Sequence, residues 1–299
     1  MNVKEINGGV ELENVQQFNL KHIFECGQCF RWSRQGDGSY VGVAKNKVLR
    51  LAAHDNNITI FNTSLQEFFE VWEDYFDLKT DYLSYQERLA TDDIMRNAIK
   101  DGSGLRILRQ DTFETLISFI ISASNNIPRI TKIVNCLCEL YGDKVTYENE
   151  TFYTFPSPKR LCGVTAEDLA PIRSGFRAKY ITDAVEKVNS GEIDLKNLGK
   201  MPASDAQKYL MSISGVGPKV ADCVLIFGTG RLDVFPVDTW IDKAMKTLYP
   251  AACEGTKVRN AGETLFGDIC GLAQQYIFYY ARENKLQGIR QEKLKFLNK

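Results

Sequence analysis

Residues Tyr209–Thr247 read YLMSISGVGPKVADCVLIFGTGRLDVFPVDTWIDKAMKT. A helix is expected to end near Ser212, and Gly215-Val216-Gly217 then forms a tight hairpin. Two glycines permit positive φ and let another backbone come close. Pro218 fits the first turn of the next helix, where its missing N–H costs nothing. The hairpin therefore presents backbone N–H groups at a helix N-terminus, an anion site suited to a phosphate without base preference. Lys219 falls in that first turn, where the positive end of the helix dipole disfavours an ammonium. The same field favours the free amine that a Schiff-base nucleophile needs. A solvated surface lysine is the competing reading. Asp238, in Phe235-Pro236-Val237-Asp238, stands where a further helix would take its N-cap.

Helical periods extend outward from this stretch in both directions. They predict helices over Thr112–Ala123, Pro128–Tyr141, Lys179–Asn189, Ser204–Met211, Pro218–Phe227, Val237–Thr247, Val258–Phe266 and Ile269–Glu283, with another near Ala166–Ile172. Ser64 is a candidate N-cap for a helix carrying Phe68, Phe69, Val71 and Trp72. Before it the pattern differs. Val15–Leu20, Cys29–Ser33, Tyr40–Ala44, Val48–Ala53 and Ile58–Phe61 read as short strands parted by turns such as Gly36-Asp37-Gly38, hence an antiparallel meander. The fold class is α+β: a β-rich N-terminal domain with trailing helices over residues 1–103, then a larger all-helical region over 104–299. No internal repeat is visible.

Composition narrows the function classes. The chain has 299 residues, 44% hydrophobic and 25% charged, with a formal net charge of −1. A strongly basic footprint is absent, so a nucleic-acid surface has to be local. The tail is locally basic through Lys285, Arg290, Lys293, Lys295 and Lys299, which suits either phosphate contact or a solvated helix end. Met1–Asn14 does not read as a secretory signal, and no run of about 18 apolar residues suggests a membrane span. Eight cysteines are too few for a disulfide scaffold. Cys26 and Cys29 form C-x-x-C and Cys136 and Cys138 form C-x-C, but Cys162, Cys223, Cys253 and Cys270 are scattered. A cluster site usually has three ligands closely spaced, so no metal site is expected and most of these read as small buried hydrophobes. His22 and His54, the two histidines, fall in the β-rich region, and no carboxylate cluster suggests a metal-dependent nuclease.

The hairpin GVGPKVADC (Gly215–Cys223), followed by P-V-D ending at Asp238, resembles the helix-hairpin-helix, Gly/Pro-rich loop and aspartate signature of base-excision glycosylases. It is most similar to the 8-oxoguanine DNA glycosylase/AP lyase branch. Three further segments resemble that family in its order: Glu25–Trp32 (ECGQCFRW), Gly104–Asn126 (GLRILRQDTFETLISFIISASNN) and Gly271–Phe278 (GLAQQYIF). The resemblance implies that the N-terminal domain is TATA-binding-protein-like. It also implies a bifunctional enzyme of base excision repair, a glycosylase and lyase acting on double-stranded DNA that contains 8-oxoguanine, preferentially opposite cytosine.

On this resemblance Lys219 attacks the sugar C1′, and Asp238 stabilises the oxocarbenium-like charge while capping its helix. Cys223 and Phe278 would sandwich the extruded base, although from periodicity alone both are ordinary helical core. Gln274 would bond the Watson–Crick edge. Gly27 would aim a backbone carbonyl at N7, which bears a hydrogen in 8-oxoguanine but a lone pair in guanine. Asn125 and Asn126 would form a wedge turn, Phe176 would intercalate, and Arg129 and Arg177 would read the orphaned cytosine. The backbone at Gly215 and Gly217 would hold a phosphate. Human-type members have three asparagines in the wedge, where this chain has Ser124 first. They also have a histidine two residues after the aspartate, where this chain has Trp240. An indole carries no charge, so phosphate contact and pH dependence should differ. No organic cofactor is implied, though the family admits a monovalent cation at the hairpin carbonyls. A monomer is expected, nucleoid-associated in a prokaryotic cytoplasm or nuclear in a eukaryote. Two competing readings are a related glycosylase that uses only an aspartate and water on alkylated purines, and a non-catalytic module that grips phosphate. The first has no need of Lys219 or Cys223, and the second no need of Asp238.

Overall fold

In the computed structural model, residues 1–284 are described; the basic tail from Lys285 onward lies outside the described residues. The N-terminal part is a six-stranded antiparallel sheet in the order β1-β2-β6-β5-β4-β3. The strands are β1 (Asn2–Ile6), β2 (Gly9–Glu13), β3 (Trp32–Arg34), β4 (Tyr40–Ala44), β5 (Lys47–His54) and β6 (Asn57–Phe61). Strands β3 to β6 form the expected meander. The β1–β2 hairpin lies outside that expectation, and it extends the sheet by pairing Val10 with Ile60 and Leu12 with Ile58. Its polar residues hide it: β1 is an edge strand whose Lys4 and Glu5 are exposed, so the period-2 signal is weak. The strand expected at Val15–Leu20 is absent. Asn14 and Gln17 take positive φ (54° and 53°), and Asn19 caps a short helix, Leu20–Phe24. Left-handed residues break a ladder, and asparagine tolerates that conformation better than most.

One face of the sheet buries Val10, Leu12, Leu49, Leu51, Ile58 and Ile60. A helical run from Leu65 to Tyr75, with a π-helical turn at Phe68–Trp72, lays Phe68, Trp72 and Phe76 across that face. Each such aromatic, fully buried, contributes on the order of 2–3 kcal/mol. Ser64 caps the run as expected, accepting from the Glu67 N–H.

The helical region has its own core. Thr112–Ser122, Ile127–Tyr141, Ala178–Ser190, Ala203–Leu210, Pro218–Thr229, Thr239–Leu248, Val258–Phe266 and Cys270–Glu283 lie within a residue or two of the periodic segments. Only the segment near Ala166–Ile172 falls short, giving a single 3-10 turn at Ala170–Ile172 around Pro171. Two shorter helices, Tyr82–Leu89 and Asp93–Asp101, pack into the same core through Tyr82, Leu89, Met95 and Ala98. A hairpin of β7 (Lys144–Tyr147) and β8 (Glu150–Tyr153) follows Ile127–Tyr141. No helix among the described residues is long and apolar enough to cross a membrane.

The segment Glu25–Phe30 lies at the seam of the two cores. Cys26 and Phe30 belong to the helical core, and Cys29 to the sheet core.

Candidate active site

Lys219 projects from the first turn of Pro218–Thr229, whose N-cap is Gly217. Its ammonium donates to Ser122 Oγ at 3.2 Å and lies 4.9 Å from the centre of the Phe119 ring. Ser122 in turn donates to the Phe119 carbonyl, which aims an oxygen lone pair at Lys219. Ser122 and Phe119 escape a reading of the sequence, because on an apolar helix they carry no mark of their own. Cys223 sits one turn beyond Lys219 and is buried. Burial pushes its thiol up to about 12, Lys219 pulls it back, and Asp222 and Asp238 push it further. Lys219, Cys223 and Asp238 thus share one neighbourhood, in which the thiol is a neutral, soft wall.

Asp238 caps Thr239–Leu248, accepting from Trp240 N at 2.9 Å and Ile241 N at 2.8 Å through one oxygen, Oδ1. Its other oxygen makes no hydrogen bond among the described residues. The cap expected from the sequence is present, with acceptor capacity left over.

The hairpin joins Ala203–Leu210 to Pro218–Thr229. Gly215 takes φ +77°, and a Cβ there would lie 2.3 Å from the Tyr180 ring. At Gly217, by contrast, a Cβ would find nothing within 4 Å. Asp222, buried, ties the unit together: it accepts from Gln207 at 2.7 Å and pairs with Arg259 at 2.9 Å. A cleft of about 550 Å³ opens beside Lys219, bordered by Pro218, Val237, Lys246, Lys257 and Arg259. A larger cavity, about 770 Å³, borders Glu114 at the far end of Thr112–Ser122 and does not reach Lys219.

The remaining sequence-predicted residues fall into two groups. Gly27 has φ +87°, and a Cβ on it would lie 3.6 Å from both Phe278 Cε1 and Ile127 Cδ1. Gly27 and Phe278, 251 positions apart in the chain by subtraction, therefore face one another. Gln274 is buried one turn before Phe278 and accepts from Gln275 Nε2 at 2.7 Å. What holds Gly27 is its neighbour Gln28, a residue that sequence reasoning does not single out. The buried Gln28 amide donates to the Ile23 and Arg106 carbonyls, each at 2.8 Å, and accepts from Leu108 N at 2.9 Å. Its backbone carbonyl accepts from Gln110 at 2.7 Å.

The second group is the turn between Thr112–Ser122 and Ile127–Tyr141. Ser124 is left-handed at φ 49°. Asn125 donates to the Ile121 carbonyl and accepts from Asn126 N, and Asn126 caps the following helix through Arg129 N. Arg177 is buried, and four of its hydrogen bonds end on carbonyls of Ala123, Ser124 and Ser174. A guanidinium has five donors, so one is left for any partner. Arg129 is exposed, and its guanidinium makes no hydrogen bond or ion pair among the described residues. Burial lowers the Arg177 proton affinity, and the nearby charge of Arg129 lowers it further. Phe176 is 55% exposed beneath the Arg177 guanidinium, 4.4 Å from it.

Residues 12–116 match the 8-oxoguanine DNA glycosylase N-terminal domain, and residues 117–266 match the HhH-GPD superfamily of base excision DNA repair proteins. A probable N-glycosylase/DNA lyase of Methanothermobacter thermautotrophicus is 34% identical over 71% of this chain and 74% of its own. The Clostridium acetobutylicum 8-oxoguanine glycosylase/lyase, solved with double-stranded DNA containing cytosine opposite 8-oxoguanine, superposes with a TM-score of 0.92. It is 41% identical over 95% of this chain and 99% of that one. MBOgg1, solved with a low-affinity DNA ligand, gives the same TM-score of 0.92 at 47% identity, over 95% and 99% of the two chains. The chain belongs to the HhH-GPD superfamily, in its 8-oxoguanine DNA glycosylase family, and is a DNA N-glycosylase with DNA lyase activity.

Proposed function

We propose that this enzyme removes 8-oxoguanine from double-stranded DNA, preferentially opposite cytosine, and then cuts the strand by β-elimination. One observation carries the reading. Two helices, the end of Thr112–Ser122 and the first turns of Pro218–Thr229, bring together an oriented hydroxyl (Ser122), an amine (Lys219) and a neutral thiol (Cys223) within electrostatic reach of a carboxylate (Asp238).

The lesion is flipped out of the duplex, and the void is filled from the Asn125–Asn126 turn with Phe176 inserted beside it. Arg129, exposed and unpaired among the described residues, reads the widowed cytosine, and Arg177 adds its remaining N–H. Ser124 offers a shorter side chain than asparagine, so its contact to the cytosine is weaker. The backbone N–H groups around Gly215 and Gly217 hold a phosphate. With Trp240 two residues past Asp238, the phosphate there meets an uncharged indole.

The extruded base lies between Cys223 and Phe278, with Gln274 on its Watson–Crick edge and the Gly27 carbonyl on N7–H. Lys219 first gives up an ammonium proton to water and then, as the free amine, attacks C1′ while the bond from C1′ to the base breaks. The base departs with the electron pair and takes up a proton. Asp238 stabilises the positive charge that grows on the sugar. The attacking nitrogen sheds a proton, the C1′–O4′ bond breaks, and O4′ takes that proton, leaving a protonated imine. Loss of a C2′ proton expels the 3′ phosphate, and water then hydrolyses the imine to regenerate Lys219.

A monovalent cation at the hairpin would be held by backbone carbonyls, each of which has two lone pairs. Of the turn's carbonyls, Ser212 already accepts from the Lys187 ammonium and Ile213 from Val216 N. The enzyme works as a monomer on genomic DNA, in the nucleoid of a prokaryote or the nucleus of a eukaryote.

Borohydride trapping tests the proposal. The protein is incubated with duplex DNA carrying one 8-oxoguanine opposite cytosine, then reduced, with Lys219→Gln as control. A covalent adduct that disappears in the variant is the expected outcome. Base release without an adduct would replace Lys219 by water as nucleophile. Neither adduct nor release would remove 8-oxoguanine as the substrate.

A further inference from the structure

We propose that Gln275 is a specificity-determining positioning residue, fixing which end of the Gln274 amide meets the extruded purine and so selecting a guanine-type edge over an adenine-type one. This rests on the reading of Gln274 as the contact to the Watson–Crick edge.

Gln275 is buried and its Nε2 donates to Gln274 Oε1 at 2.7 Å. Its own Oε1 is buried with no hydrogen-bond partner among the described residues. Gly271, Gln274, Gln275 and Phe278 fall at i, i+3, i+4 and i+7 of one helix, so the two glutamines share the stripe that leads to Phe278. A buried acceptor left unpaired is costly and calls for a reason.

The reason lies in the two ends of an amide. A guanine-type edge offers a keto acceptor at C6 beside an N1–H donor. An adenine-type edge offers an amino donor at C6 beside an N1 acceptor. Bidentate pairing with the two edges needs opposite orientations of the Gln274 amide. In the observed orientation Gln275 occupies one lone pair of the Gln274 oxygen. The other lone pair remains for N1–H, and the NH₂ group remains for the keto oxygen.

Meeting an adenine-type edge would require the Gln274 amide to turn over. Its NH₂ would then face the NH₂ of Gln275, donor against donor. Turning both amides restores their bond but exchanges an orphaned oxygen for an orphaned NH₂. Buried orphan N–H groups are the rarer of the two in folded proteins. The vacant Gln275 oxygen is therefore the cost of holding one orientation. The Gly27 carbonyl cannot supply this discrimination, because 8-oxoguanine and 8-oxoadenine both carry a hydrogen on N7.

The test is single-turnover excision of 8-oxoguanine and of 8-oxoadenine, each opposite cytosine, by the wild type, Gln275→Met and Gln275→Glu. Binding to a duplex with a tetrahydrofuran abasic analogue, which presents no base, reports that each variant is folded. The wild type is expected to favour 8-oxoguanine. Methionine removes the donor and should shrink that preference at least tenfold, with the 8-oxoguanine rate falling and the 8-oxoadenine rate held or raised. An ionised glutamate only accepts, so it should draw the Gln274 NH₂ toward itself and shrink the preference further. Rates that fall together at a constant ratio overturn the proposal, because a merely structural role slows both lesions alike. A wild type that removes both lesions equally also overturns it, while leaving the 8-oxoguanine activity intact. A wild type that removes neither overturns both.

Discussion

The two walls around Lys219 and Gly27 are built by opposite rules. On the lysine wall, polar groups keep capacity in reserve: Lys219 makes one hydrogen bond with three available donors, and Asp238 caps its helix through a single oxygen. On the Gly27 wall the neighbouring Gln28 uses both amide hydrogens, its amide oxygen and its backbone carbonyl. The first wall stays chemically available because the fold does not need all of its polar groups. The second holds a backbone in place because both amide hydrogens and the amide oxygen of Gln28 are committed to partners. Reactivity and rigidity are thus separated onto different elements, one at helix ends and one at the seam between two cores.

That separation can be broken by experiment. The largest effect is expected from Lys219→Gln, which should lower single-turnover excision by about 10³-fold or more, as loss of a nucleophile does. Its denaturant midpoint should stay near that of the wild type. A comparable loss of stability would show that the lysine wall is structural after all.

Asp238→Asn comes next. Asparagine is as good an N-cap as aspartate, so stability should change by less than about 1 kcal/mol. Excision should nonetheless fall on the order of 10²-fold, since the charge opposite the developing cation is gone. Equal losses in folding and rate would mean that the cap and the electrostatic role cannot be separated.

Gln28→Ala should reverse the pattern. It leaves Leu108 N, Ile23 O and Arg106 O short of partners in a buried site, at a cost of about 3 kcal/mol in chemical denaturation. Selectivity for 8-oxoguanine over guanine should fall with it, while an abasic-site duplex is still trapped.

The smallest effect concerns Glu114, which lies at the far end of the helix that carries Ser122 and belongs to neither wall. Burial pushes its carboxyl up to about 7, against the pull of Arg31. The folded state therefore holds this proton more tightly than the unfolded chain. Its stabilising contribution is full below about pH 4.5 and is lost as pH rises through about 7. Glu114→Gln should stabilise the protein at pH 8 by about 2 kcal/mol, with little difference at pH 4.5. An altered excision rate in that variant would extend the reactive wall along the whole helix.

The lysine wall is legible in the sequence and the other is largely hidden, for a physical reason. Lys219, Asp238, Gly215 and Gly217 are close in the chain and obey local rules of turns, caps and dipoles. The helices around them follow from a period that needs no tertiary information. Gln28 matters because it reaches Arg106 and Leu108, and Ser122 because it meets Lys219, so their roles exist only in three dimensions. Arg177 is an intermediate case. The family resemblance proposes it as a DNA contact, but most of its donors are spent on carbonyls of the wedge turn and of Ser174. The false strand at Val15–Leu20 has the opposite fault: its alternation is apparent, but Asn14 and Gln17 carry a conformation that alternation cannot reveal.

The two hairpin glycines carry different histories. At Gly215 a methyl group would run into Tyr180, so folding alone forbids it. At Gly217 a methyl group would meet nothing, and the backbone, at φ −96°, is one that alanine adopts readily. Under selection for folding only, Gly217 would be free to drift while Gly215 stayed fixed. If the backbone there holds a phosphate as proposed, then of these two glycines only Gly217 should diverge between a library screened for solubility and one screened for activity.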